Sequence, residues 1–282
     1  MKSLCIVGLG MIGGSLAGAL KLAGYAGEIS ALVRSENTGK KGLELGIIDR
    51  FALSAEEVVP TADIVLLAVP MLSMHQQLVV IKPYLTDISI VTDAGSVKAP
   101  FIKDALSVLG SLKRVVPGHP IAGREKTGVD AADATLYQDR RVLLTPSDDT
   151  DEEATSAVAK LWEAAGANVE VLGAEQHDRV LAATSHLPHI LAFALVDTLA
   201  TQQEAEEIFR YAAGGFRDFS RIASSDAVMW RDVCLTNREA ILDSMDRLDS
   251  HLKKIRSAIE CEDGETIEAT FKRAKIARDK FA

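Results

Sequence analysis

A glycine loop near the N-terminus constrains the fold of this chain more than any other feature. Gly8, Gly10 and Gly13 form the pattern GxGxxG directly after a short apolar run and at the start of an apolar helical pattern. In this context the first glycine permits a tight turn, the second lets the backbone approach a pyrophosphate, and the third allows close helix–strand packing. The helix N-terminus, at Met11 and Ile12, offers N–H groups to the same anion. A tight turn without a ligand is the alternative, but the whole pattern predicts a dinucleotide-binding domain.

Short apolar runs alternate with helical patterns over the first 172 residues, which is typical of βαβ units and a mostly parallel sheet. Several runs lack polar alternation, as expected for strands that are covered on both faces. From Ala174 onward the strand-like runs vanish and long helical periodicities dominate. We therefore predict an α/β fold with a Rossmann-type domain over residues 1–172 and an all-helical domain over residues 173–282. The predicted strands are Leu4–Val7, Ile29–Val33, Ile64–Val69, Ile88–Thr92, Val115–Val116, Val142–Thr145 and Val169–Leu172.

The second domain is predicted to contain one long helix with an apolar stripe. Asp226 is its predicted N-cap, the helix ends before Gly264, and a further helix starts at Glu265. Because a helical domain of about 110 residues buries little apolar surface by itself, the stripe favours coverage by a second copy of the chain. Packing within the domain is the alternative, and we predict a homodimer.

Composition narrows the partners and the location of the protein. Lys and Arg number 31 against 40 Asp and Glu, and this net charge of −9 argues against a protein that binds nucleic acid through its phosphates. Cys5, Cys234 and Cys261 include no CxxC pair and are expected to be free thiols in a reducing cytoplasm. The N-terminal apolar run is too short for a signal peptide, and we expect no stretch to span a bilayer. These features predict a cytoplasmic protein that binds neither nucleic acid nor a membrane.

The residues after the second predicted strand bear on the choice of cofactor. An acidic residue at that position would bind the adenosine ribose 2′-hydroxyl, but Arg34 stands there instead. Arg34, Ser35 and Thr38, with Lys40 and Lys41 nearby, could hold a 2′-phosphate. In the alternative, Arg34 only stacks on the adenine and NAD is used. The sequence favours NADP and leaves NAD possible.

Further candidates follow the later strands, where an open α/β sheet binds its ligands. Val69 and Pro70 form a sharp exit beside the expected nicotinamide position. Ser96 supplies a hydroxyl that can donate and accept a hydrogen bond. His119 lies between a glycine and a proline and is a candidate base, since removing a hydride from a carbinol carbon requires the hydroxyl proton to leave. The alternative for His119 is a buried structural histidine.

Two pairs of polar residues stand out in the helical domain. His186 and His189 lie one helical turn apart, but no nearby cysteine or carboxylate completes a metal site, so we predict no metal. His189 is expected to face the cleft and His186 to support the turn. Arg217 and Arg221 follow a diglycine, and we expect one of them to pair with Asp218 at the surface and the other to bind a carboxylate.

Taken together, these motifs resemble the prephenate and arogenate dehydrogenases of tyrosine biosynthesis, a family that includes the broad-specificity cyclohexadienyl dehydrogenases. The resemblance spans nearly the whole chain, and it implies an N-terminal Rossmann domain, a C-terminal helical dimerisation domain and an active site between them. The matching segments are Gly8–Ala17, Asp93–Lys98, Gly118–Glu125, Ser185–His189, Gly214–Asp226 and Met229–Asp232.

The resemblance implies the oxidative decarboxylation of a cyclohexadienol. A hydride leaves the hydroxyl-bearing ring carbon for the nicotinamide, the ring carboxylate departs as CO2, and the ring becomes aromatic. The resemblance assigns His119 as the catalytic histidine, Ser96 as its hydroxyl partner, His189 as a substrate-facing histidine and Arg221 as a carboxylate-binding arginine.

Other positions in the matching segments are expected to contact the substrate as well. They are Arg217, Arg124 and Glu125. Members of the family often carry Thr or Ser where this chain has Arg124, so an extra cation could face the side chain of the substrate here. Prephenate and arogenate differ only in a pyruvyl or an alanyl side chain, and both remain open as the substrate.

Two other functions compete with this interpretation. A β-hydroxyacid or imine reductase would share the cofactor domain, but such enzymes typically use a lysine base on a helix, which the Gly-His-Pro segment does not fit. A non-catalytic NADP-sensing module would bind the cofactor tightly and turn over no dienol.

Overall fold

A parallel sheet organises the N-terminal part of the computed structural model, which describes residues 2–124 and 126–280. Its strands are β1 (Leu4–Val7), β2 (Ile29–Leu32), β3 (Arg50–Ala52), β4 (Ile64–Leu67), β5 (Ile90–Asp93) and β6 (Val115–Val116). In the described residues these strands lie in the order β3-β2-β1-β4-β5-β6, all parallel. Every residue of β1, β2, β4 and β5 is buried, which explains why these runs are apolar without alternation.

The register of this sheet gathers the loops that the sequence singles out. Val7 aligns with Leu32 on one side and with Leu67 on the other, and Leu67 aligns with Asp93. The four strands therefore end at the same level. The strand order reverses between β1 and β4, and ligands of open α/β sheets bind outside the carboxyl ends of the strands at such a point.

Helices cover the sheet and connect its strands. They are α1 (Met11–Leu22), α2 (Glu36–Glu44), α3 (Ala55–Val58), α4 (Met74–Ile81) and α5 (Ala99–Leu109). The glycine face of α1 packs tightly on the sheet. A Cβ atom on Gly13 would lie 2.5 Å from the carbonyl oxygen of Gly8 and 2.8 Å from Cγ2 of Ile6. The third glycine of the loop thus lets α1 approach β1, as its spacing predicts.

A second, smaller sheet corrects the prediction that one sheet continues to residue 172. It contains β7 (Gly118–Pro120), β8 (Arg141–Leu144) and β9 (Asn168–Val171), and α6 (Glu152–Ala164) precedes β9. Here β7 runs antiparallel to β8, and β8 runs parallel to β9. Pro117 has no N–H to continue a ladder, so β6 ends before it and the chain turns into β7. The short strands β3 and β7 were not predicted.

The described helices that follow are α7 (Ala174–Leu181), α8 (Leu187–Ala200), α9 (Ala205–Arg210), α10 (Gly214–Ser220), α11 (Ala227–Thr236), α12 (Arg238–Glu260) and α13 (Gly264–Arg278). The backbone N–H of Met229 donates to Asp226 Oδ1 at 2.7 Å, which confirms the prediction that Asp226 is an N-cap. The prediction of a single long helix after Asp226 is wrong, because α11 ends at Thr236 and α12 begins at Arg238. The intervening Asn237 leaves the helical conformation and turns its amide inward.

One helix is longer and more apolar than the sequence analysis expected. A π-helical turn over Ala182–His186 joins α7 to α8, so that Ala174–Ala200 forms a continuous helix of 27 residues. By length and composition alone this helix could cross a membrane, contrary to the expectation that no stretch would. It buries His177, Asp178 and His186 within its own unit and leaves much of the rest exposed. Polar groups on the buried side are typical of a helix that lines a site.

The chain divides into two compact units, residues 1–238 and 239–282. The second unit consists of the remainder of α12 together with α13, and Ala258 and Ile267 line a small pocket between them. The domain boundary at residue 172 stays a prediction.

Candidate active site

The glycine loop leaves a cradle at the end of β1. Gly8 has a φ of +96°, and a Cβ atom there would lie 2.6 Å from the carbonyl oxygen of Ala68 and 2.8 Å from Cγ1 of Val69. Only glycine fits this position without strain. A Cβ atom on Gly10 would meet nothing within 4 Å, so this glycine borders open space. The turn at Gly8 thus brings Val69 against the loop and leaves room in front of Gly10.

The N-terminus of α1 opens onto this space. No side chain of the described residues caps α1, whose N-cap is Gly10. The N–H groups of Met11 and Ile12 belong to the first helical turn and lack partners inside the helix. Backbone donors and the positive end of the helix dipole suit a pyrophosphate. The cradle therefore fits the dinucleotide that the sequence predicts.

The exit of β4 lies between the cradle and the next loop. Pro70 begins a short 3₁₀ turn at Met71–Ser73. A Cβ atom on Gly95 would lie 2.5 Å from Sδ of Met71, so this turn packs on the loop that carries Ser96. Val69, Pro70 and Ser96 are thus neighbouring parts of one edge. No hydrogen bond joins the Ser96 hydroxyl to another group in the described part of the chain, while its side chain stays partly accessible.

Arg34 is exposed just beyond β2, where the adenosine end of a dinucleotide would lie. Ser35 caps α2, since its hydroxyl accepts from the Thr38 N–H at 3.3 Å. Lys40 pairs with Glu36 at 2.7 Å, while Lys41 lies within 4 Å of two other carboxylates. Within residues 2–124 and 126–280, Arg34 has no such acidic partner. Glu36, a carboxylate two residues after Arg34, was not among the residues predicted from the sequence to influence the choice of cofactor.

His119 lies at the centre of a chain of hydrogen-bonded side chains. Its Nδ1 is 2.9 Å from Nε2 of His177, and Nδ1 of His177 is 2.8 Å from Oδ1 of Asp178. The backbone N–H groups of Lys98 and Ala99 donate to the same carboxylate at 2.8 and 2.9 Å. Burial opposes ionisation of Asp178, but these hydrogen bonds outweigh it and lower the pKa of the carboxyl. Asp178 is therefore an acceptor at the end of the chain.

This polarity fixes the proton positions along the chain. Since the Asp178 carboxylate only accepts, Nδ1 of His177 carries the proton of that hydrogen bond. With the proton of His177 on Nδ1, its Nε2 accepts from Nδ1–H of His119. We accordingly assign the lone pair of neutral His119 to Nε2, the ring nitrogen that takes no part in the hydrogen bond to His177. A histidine oriented in this way by a second group is the usual arrangement for a general base.

The environment of His119 keeps it neutral. Burial lowers its pKa well below the usual range, and the nearby His177, Lys98 and His186 lower it further. Part of the ring surface remains accessible at the edge of β7. A neutral, partly accessible imidazole can take up a proton at Nε2.

Two buried charged side chains hold the strand that carries His119. Lys98 and Asp93 are fully buried and form an ion pair. The Lys98 Nζ donates to the carbonyl oxygen of Gly118 at 2.6 Å, and the Gly118 N–H donates to Asp93 Oδ1 at 3.1 Å. Burial raises the pKa of Asp93 and lowers that of Lys98. The pair fixes both backbone groups of the residue next to His119.

His189 and Arg221 lie together in the helical part of the first unit. Nδ1–H of His189 donates to the carbonyl oxygen of Ser185 at 2.8 Å, and the ring stacks on Trp230 with centroids 3.8 Å apart. Burial lowers the pKa of His189, and the charge of Arg221 lowers it as well. Arg217 is exposed on α10, one turn earlier in the chain.

The remaining predicted contacts lie in the loop after β7. Arg124 pairs with Asp133 and borders a pocket of about 410 Å³ together with Ile121 and Arg140. Glu125 lies outside the described residues. In the described residues Asp218 forms no ion pair with Arg217. No cluster of side chains suited to a metal occurs in the described ranges either.

Sequence reasoning missed His177, Asp178, Asn237, Asp93 and Lys98. The pair His-Asp at 177–178 was visible as two adjacent polar residues in an amphipathic helix, but such residues are common on helix surfaces. Lys98 stood in a motif that was noted for Ser96. No local pattern shows that these side chains are buried.

Comparison with known proteins gives the same assignment to both parts of the chain. The family model described as "Prephenate dehydrogenase, nucleotide-binding domain" matches residues 16–171. The model described as "Prephenate dehydrogenase, dimerization domain" matches residues 173–273. Together the two matches cover most of the chain.

Individual relatives align along nearly the whole chain. The cyclohexadienyl dehydrogenase of Zymomonas mobilis is 38% identical over 279 residues, which cover 98% of this chain and 95% of that protein. The prephenate dehydrogenase of Aquifex aeolicus, solved with hydroxyphenyl propionate and NAD+, superposes with a TM-score of 0.93 at 38% identity and covers 100% of this chain and 99% of its own. Synechocystis arogenate dehydrogenase has a TM-score of 0.84 at 27% identity, over 99% of this chain and 100% of its own.

Proposed function

This chain belongs to the prephenate dehydrogenase family and is an NAD(P)-dependent dehydrogenase, and on that premise we propose how its residues carry out the reaction. The reaction is the oxidative decarboxylation of prephenate, arogenate or both, to 4-hydroxyphenylpyruvate or tyrosine. The observation that carries the proposal is the chain His119–His177–Asp178, which presents a neutral imidazole at the sheet edge where the glycine cradle lies. The two alternatives, a reductase of similar architecture and a cofactor-sensing module, find no support in the family relation.

His119 acts as the general base in this scheme. Its Nε2 takes the proton of the ring hydroxyl while the carbon that bears this hydroxyl gives up a hydride. The bond to the ring carboxylate breaks, its electron pair enters the ring, and CO2 leaves behind an aromatic phenolate, which takes a proton back from His119 to give the phenol. The new positive charge on His119 is stabilised through His177 by the carboxylate of Asp178. Because the carboxylate is already ionised and hydrogen-bonded, little rearrangement is needed.

A bound nicotinamide would supply the hydride acceptor. The cradle of Gly8, Gly10 and Gly13, with the first N–H groups of α1, would hold its pyrophosphate, and Val69 and Pro70 would lie beside its reactive ring. Ser96, on the adjoining loop, would hydrogen-bond the hydroxyl that reacts.

The substrate carries two carboxylates, and the protein has a net charge of −9. Placed cations must therefore offset the average field of the protein. Arg221 beside His189 is our candidate for the main carboxylate contact, since its charge already reaches that ring. Arg124, Glu125 and Arg217 stay candidates for the outer part of the site.

We favour NADP over NAD as the cofactor. The supporting observation is Arg34, an exposed cation just beyond β2 that no described carboxylate within 4 Å neutralises. A guanidinium suits a 2′-phosphate. The carboxylate of Glu36, two residues on, is held by Lys40.

We also propose a cytoplasmic homodimer that binds neither nucleic acid nor a membrane. Much of the helix Ala174–Ala200 is exposed and apolar, and α12 exposes Leu242, Met245 and Leu252. Such surfaces suit a second copy of the chain. The acidic net charge argues against binding to nucleic acid, and the three free cysteines support a location in the reducing cytoplasm.

A single assay tests the proposal. The purified protein is mixed with prephenate or arogenate and with NAD or NADP, and the absorbance of the reduced nicotinamide is followed in all four combinations. We expect turnover with at least one substrate and a higher kcat/KM with NADP. Absence of turnover in all four mixtures, from protein that binds the cofactor, would contradict the dehydrogenase assignment and favour a sensing module.

A further inference from the structure

Two buried ring nitrogens near the candidate site have no hydrogen-bond partner within the described residues. They are Nε2 of His186 and Nε1 of Trp230. His186 is 1% exposed and Trp230 is 9% exposed, and their ring centroids are 6.0 Å apart. A buried ring nitrogen that carries a proton and has no acceptor is costly, so we expect an accepting group to approach such an atom.

Asn237 determines which nitrogen of His186 carries the proton. Its amide nitrogen is 2.9 Å from the carbonyl oxygen of Asp178 and 3.0 Å from Nδ1 of His186. Since the carbonyl oxygen only accepts, this end of Asn237 must be the NH2 group, and it donates to both atoms. Nδ1 of His186 is therefore an acceptor, and the proton lies on Nε2. Burial lowers the pKa of His186 to about 4, so this neutral tautomer prevails at pH 7.

The surroundings of His186 are those of the active site. The titratable groups that affect its pKa are Asp178 and His177 on α7 and His189 at the start of α8. His186 in turn lowers the pKa of His119. Its ring lies edge-on to Trp230, on which His189 stacks. His186 thus lies among the base, its hydrogen-bonded chain and the histidine predicted to face the substrate.

The backbone around His186 is also unusual. The π-helical turn Ala182–His186 interrupts an otherwise continuous α-helix. Such turns place an extra residue in the helix and occur often at functional sites. Here the turn ends at His186, which is buried, whereas Ala183 and Thr184 are exposed.

We propose that Nε2–H of His186 donates a hydrogen bond to an oxygen of the bound cyclohexadienol, and that Asn237 is a positioning residue that holds His186 in the donating tautomer. This inference rests on the proposed function. Substrate carboxylates and hydroxyls supply the acceptor that the donor lacks. A neutral donor also suits the carboxylate that leaves, because a full ion pair would stabilise it in the ground state more than in the transition state.

The experiment compares substitutions that keep or remove the donor. Gln at position 186 can place an amide N–H near the position of Nε2, whereas Leu cannot donate. For each variant, kcat/KM with prephenate is measured, together with the Kd of hydroxyphenyl propionate by calorimetry, the cofactor Kd and the melting temperature. His186→Leu should lower kcat/KM by about 10- to 100-fold, and His186→Gln should recover most of that loss.

The two ligands identify the oxygen that accepts. Hydroxyphenyl propionate lacks the ring carboxylate of prephenate. If His186→Leu raises the Kd of hydroxyphenyl propionate and lowers kcat/KM with prephenate, the acceptor is an oxygen that the two ligands share. If only kcat/KM with prephenate falls, the acceptor is the ring carboxylate or the keto oxygen of the side chain, both of which hydroxyphenyl propionate lacks. Either result supports the proposal. If His186→Leu leaves both the Kd of hydroxyphenyl propionate and kcat/KM with prephenate unchanged, the donor does not contact the substrate and the proposal is wrong.

Asn237→Asp tests the positioning role. A carboxylate accepts from Nδ1–H, so Nε2 of neutral His186 would lose its proton and could no longer donate. We expect a raised KM at neutral pH that recovers toward acid pH, where the imidazolium carries both protons. A pH-independent change in KM would contradict the tautomer assignment. If Asn237→Asp does not fold, the comparison of His186→Gln with His186→Leu still decides the question.

The design separates this inference from the proposed function. Turnover by the unaltered protein tests the function. Binding of hydroxyphenyl propionate does not require turnover, so it tests the His186 donor even if the reaction differs from the one proposed. An unaltered protein that neither turns over prephenate nor binds hydroxyphenyl propionate would overturn both.

Discussion

At the scale of single residues, the proposed chemistry depends on one imidazole that stays neutral. His119 is surrounded by groups that disfavour its positive charge in the free protein, and its Nδ1 is committed to His177. The remaining nitrogen can only accept. A base held in this way is neutral at pH 7 and can take up a proton. Once His119 is protonated, the carboxylate of Asp178 stabilises its charge through His177.

The lowered pKa of His119 predicts the pH dependence of the reaction. His119 must be neutral to accept a proton, and a lowered pKa keeps it neutral to lower pH. In the unaltered protein, kcat/KM should therefore persist as the pH falls through about 6.5, the value of a free imidazole, and decline only below it. Asp178 stays ionised in this range because its pKa is also lowered.

The acid limb, which is the decline of kcat/KM at low pH, is measured from a kcat/KM profile between acid and neutral pH. The protein is checked for folding at each pH. His189 also has a lowered pKa, so a His189→Asn variant serves as the control and should keep the limb. An acid limb centred above pH 6.5 (about the free value) would contradict the assignment.

Arg34 predicts the cofactor preference. Arg34→Asp places a carboxylate that repels a 2′-phosphate and accepts from a 2′-hydroxyl, so KM for NADP should rise and kcat/KM with NAD should improve. Lys113→Asp makes the same change of charge on an exposed loop and should leave the preference unaltered. Steady-state kinetics with both cofactors measure the effect. Unaltered protein that already prefers NAD by kcat/KM would make this interpretation of Arg34 wrong.

At the scale of elements, the glycine loop separates stability from ligand binding. Gly13 and Gly10 lie three residues apart, yet the space in front of them differs. A Cβ atom on Gly13 would overlap the Gly8 carbonyl at 2.5 Å, while one on Gly10 would enter open space. Gly13 is required by the fold, and we expect Gly10 to be required by the cofactor.

Alanine substitutions should show this difference. Gly13→Ala should lower the melting temperature, because α1 must move away from β1. Gly10→Ala should leave the melting temperature of the free protein unchanged but weaken cofactor binding, because its methyl group would occupy the pyrophosphate position. Gly173→Ala, with nothing within 4 Å of its Cβ, is the control. Equal effects of the two substitutions on cofactor Kd and on stability would contradict this account.

The elements also show what the sequence could and could not predict. β1, β2 and β4 were predicted within two residues because buried parallel strands are continuous apolar runs. β3 and β7 have three residues each, which is too short for such a pattern. The break at Asn237 was not predicted because its cause is a contact with Asp178, 59 residues earlier in the chain.

The candidate site follows the same rule. His119 and the glycines could be proposed from the sequence because their predicted functions depend on neighbours in sequence, a strand before and a helix after. His177 was missed because its role depends on His119, which lies 58 residues away and contacts it only after folding. The burial of Lys98 is equally a product of packing, since a lysine before a helix usually faces solvent.

At the scale of the whole molecule, the helical part of the chain is expected to supply part of the substrate site. Arg221 tests this expectation. Arg221→Ala should lower kcat/KM by roughly 30- to 1000-fold, mainly through KM, since a charged hydrogen-bonding partner is lost. Cofactor affinity and the dimer should be unaffected.

Arg217 is the matched control for Arg221, because it lies one turn earlier and is exposed. Kinetics of Arg217→Ala beside Arg221→Ala show which arginine binds the carboxylate. If Arg217→Ala impairs substrate binding and Arg221→Ala does not, the carboxylate contact has been assigned to the wrong arginine. If neither variant changes KM, neither arginine binds the carboxylate, and the assignment of this contact to the segment after the diglycine is wrong.

The central claim is that His119 is the base of an NAD(P)-dependent dehydrogenase, and kcat of His119→Asn tests it most directly. We expect kcat with prephenate or arogenate to fall by at least roughly 10²-fold, while the cofactor Kd stays near that of the unaltered protein. His75→Asn, which alters an exposed histidine paired with Asp104, should keep full activity. Near-normal turnover by folded His119→Asn would contradict the claim.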